Sequence, residues 1–210
     1  MNNLKLEYKL SLYDILTEIN KNEKSEVYLV QHNQTDNIYI KKVLKNYNIE
    51  VFKNIEKLEN IHIPYIHEFF EFEDKLILIE EFVNGSTLED LLKEAKNISE
   101  IKTIKYALDI CNVLKNLHSL DPPIIHRDIK PSNIIISNDG VLKLIDYDIS
   151  RKYNKDGNCD TMIMGTQEYA SPEHFGFSQT DCRSDIYSLG VLMNVLTTGS
   201  YPKYKKTKGF

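Results

Sequence analysis

Residues 126–133 read HRDIKPSN, and Asp146 follows in the stretch KLIDYD at 143–148. The two stretches supply a carboxylate at Asp128, an ammonium at Lys130, an amide at Asn133 and a second carboxylate at Asp146. Carboxylate and amide oxygens are ligands that Mg²⁺ prefers, and a fixed ammonium stabilises the negative charge that develops on a transferred phosphoryl group. The combination therefore indicates phosphoryl-transfer chemistry.

The pattern H-R-D-x-K-x-x-N closely resembles the catalytic loop of the protein kinases. The resemblance implies that Asp128 accepts the proton of the substrate hydroxyl and that Lys130 meets the γ-phosphate of ATP. It also implies that Asn133 and Asp146 hold Mg²⁺, and that His126 packs beneath the loop. Lys130 is similar to its counterpart in the Ser/Thr branch of the family rather than the Tyr branch.

The segment Asp146-Tyr147-Asp148 stands where the family has D-F-G. Tyr147 keeps the aromatic ring but adds a hydroxyl that needs a hydrogen-bond partner. Asp148 lacks the freedom of glycine to take a positive φ. The metal-binding carboxylate is kept, whereas easy switching of this loop between poses is not expected.

Downstream, residues 165–173 read GTQEYASPE and resemble the end of a kinase activation segment. Thr166 matches the threonine that touches the catalytic Asp and Lys in Ser/Thr kinases. Thr161 is a candidate phosphorylation site, and Arg127 offers a guanidinium that could receive its phosphate; an unmodified loop threonine is an equal alternative. In RSDIYSLG at 183–190, Asp185 matches the residue that braces the backbone of the catalytic loop.

The nucleotide side of the sequence is less regular. The stretches VYLV at 27–30 and IYIKKVL at 38–44 are predicted strands. Counting back from the first strand, the family's G-x-G-x-x-G falls on Asn20, Asn22 and Ser25, so all three glycines are absent. Asn tolerates a left-handed backbone better than most residues, and a turn is still expected there.

The lysine that the resemblance pairs with the α- and β-phosphates is Lys41 or Lys42, and the ungapped count favours Lys42. Its glutamate partner on the following helix is expected at Glu50, although strict register gives Val51. One residue turns a helical side chain by about 100°. A solvated surface glutamate is therefore a close alternative for Glu50.

The stretch EEFV at 80–83 resembles the strip that binds adenine in kinases. The backbone of Glu81 and of Val83 is expected to bond the adenine edge. Glu80 falls at the position behind the pocket that is usually apolar. A buried carboxylate costs several kcal/mol unless it is paired or hydrated, so Glu80 is expected to find a lysine.

Strand-like segments dominate before about residue 83 and helical ones after it. The predicted fold is α+β and two-lobed like a protein kinase, with a β-rich N-lobe with one helix at 1–83 and a mainly helical C-lobe at 84–210. Ser86 or Thr87 is expected to cap a helix, and Ile104, Leu108, Cys111 and Leu114 give 101–118 a helical period. The C-lobe is expected to lack the last helices of the family, which leaves a shortened kinase, a fragment or one half of an assembly.

Composition excludes several other classes. The 210 residues carry a net charge of −5, which argues against a broad nucleic-acid surface. Three scattered cysteines make no disulfide framework and suit a reducing cytoplasm, and no apolar run is long enough to span a bilayer. Self-association is expected if Ile186, Leu189, Leu192 and Val195 form an exposed apolar face.

Three functions remain open. The first is an ATP- and Mg²⁺-dependent Ser/Thr protein kinase, similar in wording to bacterial kinases of the eukaryotic type and acting on a protein substrate. The second is a pseudokinase scaffold, favoured by the missing glycines and the altered D-F-G. The third is a small-molecule kinase similar to the aminoglycoside and choline kinases, against which GTQEYASPE argues, since that segment shapes a groove for peptide.

Overall fold

The computed structural model describes residues 3–153, 166–171 and 180–202. The chain divides into two compact units, Met1–Asn84 and Gly85–Phe210, next to the boundary that the sequence predicts. The five longer strands lie in the first unit, and the two long helices of the described residues lie in the second. The predicted α+β, kinase-like class is confirmed.

The first unit is built on a five-stranded antiparallel sheet. Its strands are β1 (Tyr13–Lys21), β2 (Ser25–His32), β3 (Ile38–Leu44), β4 (Ile66–Phe72) and β5 (Lys75–Glu81). Their order in the sheet is β1-β2-β3-β5-β4, so β3 and β5 are interior neighbours. The predicted strands at 27–30 and 38–44 are both present.

The unit contains two helices rather than the single one predicted. The additional helix, α1 (Asn3–Ser11), buries Leu6 and packs Leu10 against the sheet core around Tyr13. Lys9 on the same helix forms an ion pair with Glu68 of β4. The prediction missed α1 because nine residues with two inward leucines give a weak periodic signal.

The expected helix that follows β3 and carries Glu50 is α2 (Ile49–Ile55). The side chain of Asn48 caps its first turn by accepting from the amide of Glu50. Val51, Phe52 and Ile55 are its buried residues. The inward face of α2 is therefore entirely apolar.

Short strands frame the loop at 126–133 in the second unit. Strand β7 (Ile124–Ile125) precedes the loop and pairs with β10 (Arg151–Lys152). After the loop come β8 (Ile134–Ser137) and β9 (Leu142–Leu144). Together with the earlier strand β6 (Gly85–Thr87), they form a three-stranded sheet of order β6-β8-β9. A Cβ on Gly85 would meet the carbonyl oxygen of Ile136 at 2.2 Å, so β6 approaches β8 this closely only because Gly85 lacks one.

Three helices complete the second unit: α3 (Leu88–Ala95), α4 (Glu100–His118) and α5 (Cys182–Thr198). Thr87 is the cap of α3, accepting from the amide of Asp90 at 3.1 Å, so the predicted choice between Ser86 and Thr87 is settled. Helix α4 packs against α5. Within the described residues, no helix is both long enough and apolar enough to cross a membrane.

Two predicted helix faces are wrong. On α5, only Ile186 is exposed, whereas Leu189, Leu192 and Val195 are buried, so the expected self-association loses the face on which it was based. On α4, the residues proposed as the inward stripe are mostly exposed. The buried residues are instead Thr103, Tyr106, Ala107, Ile110, Val113, Leu114 and Leu117, while Ile101, Ile104, Leu108 and Cys111 face outward.

Candidate active site

The loop at 126–133 is held by a buried carboxylate from α5. Asp185 accepts from the amides of His126 and Arg127, each at 2.9 Å, and its Oδ2 lies 2.8 Å from His118 Nε2. Asp185 is fully buried, and Arg127 has φ +75. Because two buried amides bind one fixed carboxylate, the backbone entering the loop is set by α5, as the sequence predicts.

The carboxylate of Asp128 is surrounded by donors. Its Oδ1 accepts from the amide and the hydroxyl of Thr166, at 3.1 and 2.9 Å. Its Oδ2 lies 2.8 Å from Asn133 Nδ2 and 2.8 Å from Lys130 Nζ. An ionised carboxylate offers about four lone-pair sites. All four are engaged, which fixes the plane of the group.

Lys130 and Thr166 form the second side of the same cluster. Lys130 Nζ donates to Thr166 Oγ1 at 2.9 Å as well as pairing with Asp128. The Lys130 side chain is 23% exposed, so its ammonium can exchange these contacts for an incoming anion. The contact of Thr166 with both residues is the one that the sequence predicts.

Asn133 and Asp146 stand at the same end of the β8-β9 hairpin. The amide of Ile145 donates to the carbonyl of Asn133 at 2.9 Å, which places Asp146 next to that strand end. Both hydrogens of Asn133 Nδ2 point to Asp128, at its backbone oxygen (2.9 Å) and at Oδ2. The Asn133 Oδ1 atom therefore lies on the opposite side of the amide, away from Asp128.

Asn133 and Asp146 fit a Mg²⁺ site in which phosphate oxygens and water supply the other ligands. Among the described residues, no group of three or more His, Cys, Asp or Glu side chains forms a metal cage by itself. One amide oxygen from Asn133 and one carboxylate from Asp146 match the way Mg²⁺ is held by few protein ligands together with phosphate oxygens and water. Asp146 has φ +69, a left-handed conformation that is uncommon outside glycine and is found at functional sites.

His126 and Tyr147 pack together beneath the loop. Their ring centroids are 4.8 Å apart in an edge arrangement, and both residues are buried. Burial lowers the pKa of His126 despite the opposing effect of nearby carboxylates. The Tyr147 hydroxyl donates to the carbonyl of Leu144 at 3.2 Å, which supplies the partner that the sequence analysis requires.

The arginine that is expected to bind a phosphate on Thr161 has a buried side chain. Arg127 is 8% exposed, and its guanidinium donates to the carbonyl of Ile149 at 3.5 Å. Thr161 and Glu173 lie outside the described residues. Ser188 of α5 donates to the carbonyl of Tyr169 at 2.9 Å, which ties the described piece 166–171 to α5.

The first unit contains the residues expected to hold ATP. Lys42 is buried and forms an ion pair with Glu80, with Nζ 3.4 Å from Oε1. The lysine that the sequence analysis expects for Glu80 is therefore Lys42. Burial lowers the pKa of the alternative lysine, Lys41, and Glu26 partly offsets this. Adjacent strand residues point to opposite faces, so Lys41 faces away from Lys42.

The expected pair between Lys42 and Glu50 stays a prediction. Within the first unit, Glu50 pairs with Lys53 one turn along α2 at 2.7 Å, and its side chain is 50% exposed. Strict register gives Val51, and that residue is fully buried in the apolar face of α2.

Glu81 and Val83 lie at the end of β5 and just after it. The Glu81 amide donates to the carbonyl of Tyr65 at 2.8 Å, and its carboxylate accepts from the amide of Tyr65 at 3.0 Å. This reciprocal pair fixes the strand end, and Val83 is buried directly beyond it. Adenine recognition by these two residues stays a prediction.

The β1-β2 hairpin is closed by Asn22 where the family has glycine. Asn22 Oδ1 accepts from the amides of Lys24 and Ser25 at 2.8 and 2.9 Å, and its own amide donates to the Ser25 carbonyl. The turn is thus formed without glycine, as expected. Two loop amides that could face phosphate are bound to a side-chain oxygen, so less backbone is available for a nucleotide.

Comparison with known families decides the identity. The protein kinase domain model matches residues 13–209. The chain belongs to the protein kinase domain family. In this kinase domain, the catalytic loop, the Asp146 segment and the brace on α5 all fall inside the matched region.

Individual relatives give the same family and show how much of each is shared. The kinase domain is 33% identical over 204 residues to protein kinase 2 of Dictyostelium discoideum, covering 92% of this chain and 42% of that protein. It is 28% identical over 201 residues to a probable serine/threonine-protein kinase of Clostridium perfringens, covering 90% and 29%. It is 30% identical over 207 residues to mitogen-activated protein kinase kinase 1 of Arabidopsis thaliana, covering 94% and 58%. The chain thus spans well under two thirds of these relatives.

Sequence reasoning missed one residue of the site and left another undecided. His118 was treated only as the end of a helix, although it contacts Asp185, and only the order of the fold brings those two together. Glu80 was expected to find a lysine, but the sequence did not say which one. Both gaps concern contacts between residues far apart along the chain.

Proposed function

We propose that this kinase domain transfers the γ-phosphate of ATP to a serine or threonine hydroxyl of a protein, with Mg²⁺. The observation that supports it best is the cluster of Asp128, Lys130 and Thr166, in which one carboxylate is held by an ammonium and a threonine hydroxyl. A scaffold that does not catalyse has no evident need to keep this arrangement together with Asn133.

In the transfer, the hydroxyl oxygen of the substrate forms a bond to the γ-phosphorus of ATP. The bond between that phosphorus and the β–γ bridging oxygen breaks, and ADP leaves with the electron pair. The hydroxyl proton passes to Asp128, the carboxylate whose plane is fixed by its donors. Thr166 and Asn133 keep it oriented throughout.

Lys130 has to change partner during the reaction. It is bound to Asp128 Oδ2 here, and that oxygen is the atom that a substrate hydroxyl would need. Movement of the ammonium to the γ-phosphate releases Oδ2 and places positive charge where negative charge develops. Binding of ATP thus prepares the base for the acceptor.

Asn133 and Asp146 are the residues that would hold Mg²⁺, through Oδ1 and the carboxylate. Held by these two residues, a metal ion would neutralise charge on the phosphates. The left-handed backbone at Asp146 turns its carboxylate at the hairpin end beside Asn133.

The two described cysteines, Cys111 and Cys182, are free thiols, which supports a reducing cytoplasm as the place of action.

A scaffold with weak nucleotide binding is the second candidate. It is favoured by one observation, the capture of the Lys24 and Ser25 amides by Asn22 in the hairpin where kinases have glycines. Such a protein would keep the fold and the Asp185 brace but would not need the Lys130–Thr166 contact.

The test is intact-mass measurement after incubation with MgATP, comparing the wild type with Asp128→Asn. The amide keeps the size of the side chain but cannot accept the proton, so we expect phosphate on the wild type and at least a hundredfold slower addition in the variant. Phosphoamino-acid analysis should give phosphoserine or phosphothreonine. Absence of phosphate on both proteins, and on a generic protein acceptor, would favour the scaffold.

A further inference from the structure

We infer that the second unit contains a binding site for a small zwitterion, a free α-amino acid with an apolar side chain, in a cavity between α3 and α4. No residue of the loop at 126–133 lines this cavity. The inference therefore goes beyond the proposed function and does not depend on it.

The cavity has the size and the apolar surface that a small organic ligand needs. Its volume is about 230 Å³. Since a water molecule takes up about 30 Å³ in the liquid, the space corresponds to about eight waters, or to a ligand of about eight to ten non-hydrogen atoms. Leu91 and Ala95 of α3 and the buried Ile98 after it form the apolar part of the lining. This part suits a short hydrocarbon side chain.

Tyr106 of α4 is a buried polar residue that lines the cavity. It is 9% exposed, and its hydroxyl forms no hydrogen bond with any described residue, although the oxygen is not sealed within protein. Buried polar groups are normally hydrogen-bonded. Burial and, to a smaller extent, the charge of Asp109 raise the pKa of this hydroxyl, so it is a donor at neutral pH. A ligand that accepts a hydrogen bond would supply the partner.

Two opposite charges line the same cavity without pairing with each other. Glu94 lies on α3, and Lys102 lies in the first turn of α4. In the part of the chain that the structure describes, neither side chain forms an ion pair or a hydrogen bond. Lys102 and Tyr106 are four residues apart on one helix face, so an ammonium and a hydroxyl donor stand together on the α4 side. The carboxylate stands on the α3 side.

The zwitterion of an α-amino acid matches these three features at once. Its carboxylate would accept from Lys102 and Tyr106, its ammonium would donate to Glu94, and its side chain would cover the apolar part of the lining. A ligand with one charge would leave one side of the cavity unmatched. An inorganic ion would leave the apolar part in contact with water.

The first arm of the test titrates the whole chain with L-leucine and follows binding by saturation-transfer NMR. We expect saturable binding in the millimolar range, because a ligand of about nine non-hydrogen atoms reaches only modest affinity. Glycine, isocaproate and isopentylamine lack the apolar side chain, the ammonium and the carboxylate, respectively. Each should bind at least about threefold more weakly than L-leucine.

The second arm matches variants to the charge of the probe. Tyr106→Phe removes only the hydroxyl and should weaken L-leucine and isocaproate about tenfold, while isopentylamine is unaffected. Lys102→Met should act on the same two probes, at least about threefold. Glu94→Gln should instead weaken L-leucine and isopentylamine but not isocaproate. Lys105→Met is the matched control without effect, since Lys105 is an exposed lysine of α4 that does not line the cavity.

Two kinds of result would overturn the inference. Absence of saturable L-leucine binding would remove the site. Equal binding of L-leucine and its singly charged analogues would remove the zwitterion as its ligand, and so would losses in the variants that do not follow the charge of the probe. Neither arm uses nucleotide, so the result stands apart from whether the domain binds MgATP.

Discussion

At the scale of single residues, the proposed catalytic cluster consists of Asp128 and the four donors around it. Thr166 contributes two of them, and its hydroxyl also accepts from Lys130. The backbone donor would survive any substitution at this position, but the hydroxyl would not. Thr166 is therefore where the contribution of one hydrogen bond can be isolated.

We expect Thr166→Ala to lower kcat about tenfold or more, because one hydrogen bond to a charged group contributes about 1.5–3 kcal/mol and each 1.4 kcal/mol is tenfold in rate. Thr166→Ser keeps the hydroxyl and should retain most of the activity. Initial rates of phosphate transfer at saturating MgATP are the measurement. Equal rates for the Ala and Ser variants would contradict the role given to the hydroxyl.

The sequence was sufficient for the contacts that follow from local spacing. Asp128, Lys130 and Asn133 lie within one short loop, so their proximity follows from the chain itself. The sequence predicts that Glu80 pairs with a lysine but not that this lysine is Lys42. That choice depends on the register of two strands that are far apart in sequence. The choice of Glu50 stays a prediction, because position along α2 alone does not say which side chains face inward.

At the scale of elements, α5 and the catalytic loop behave as one piece. Asp185 binds two loop amides and contacts His118 of α4, so one side chain joins three segments. At the start of the same helix, Asp181 caps the first turn by accepting from the amide of Arg183. The two aspartates allow a buried brace and a helix cap to be compared within one helix.

We expect Asp185→Ala to destabilise the protein by several kcal/mol, since each buried amide left without an acceptor costs about 1–3 kcal/mol. Asp181→Ala should cost only about 1 kcal/mol, the usual cost of losing a cap. Denaturant unfolding of both variants is the measurement. The role of the brace would be contradicted if the two losses were equal.

The attachment of α1 should depend on pH. Burial acts to raise the pKa of Glu68, but hydrogen bonds from Lys9 and Tyr13 outweigh it and hold the pKa below the ordinary value of 4.5. A lowered carboxylate pKa means that the stabilisation is complete above 4.5 and is lost as the pH falls below it. This contribution to acid sensitivity comes from the contact between Lys9 of α1 and Glu68 of β4.

We therefore expect Glu68→Gln to be less stable than the wild type at pH 7, with the difference shrinking as the pH is lowered towards 3 (about 1.5 units below an ordinary Glu). Thermal unfolding at both pH values is the measurement. Glu71→Gln on the same strand is the control, and it should show no such narrowing. If the stability difference between Glu68→Gln and the wild type is the same at both pH values, the Glu68 carboxylate does not cause the pH dependence.

Helical periodicity does not predict which face of α4 is buried. The stripe of Ile104, Leu108 and Cys111 satisfies a helical period, yet α4 turns Ile110 and Val113 inward instead. Both stripes are apolar, so spacing alone does not distinguish them. The positions of α5, β7 and β9 decide which face of α4 is covered.

At the scale of the whole molecule, the kinase domain consists of two units, each of which carries part of the set expected to bind MgATP. The first unit holds Lys42 with Glu80, and the second holds Asn133 and Asp146. A ligand that binds only the folded protein raises its stability in proportion to the logarithm of its concentration. Thermal unfolding therefore reports on the set as a whole.

We expect MgATP at a hundredfold excess over its dissociation constant to stabilise the wild type by about 2.7 kcal/mol, or about 5–10 °C in Tm for a chain of this size. Asp146→Asn at the same nucleotide concentration should show a smaller shift, because it removes the charged metal ligand. Chelation of Mg²⁺ by EDTA should reduce the wild-type shift in the same way. No shift in the wild type would mean that the folded chain does not hold the nucleotide.

The saturated carboxylate of Asp128 has a consequence for wasteful turnover. Without nucleotide, its four lone-pair sites are occupied by Thr166, Asn133 and Lys130, so a water molecule finds no acceptor for its proton. Under the proposed function, Oδ2 becomes available only when Lys130 moves to the γ-phosphate. Hydrolysis of ATP by water would therefore depend on the same movement of Lys130 as transfer to a protein hydroxyl.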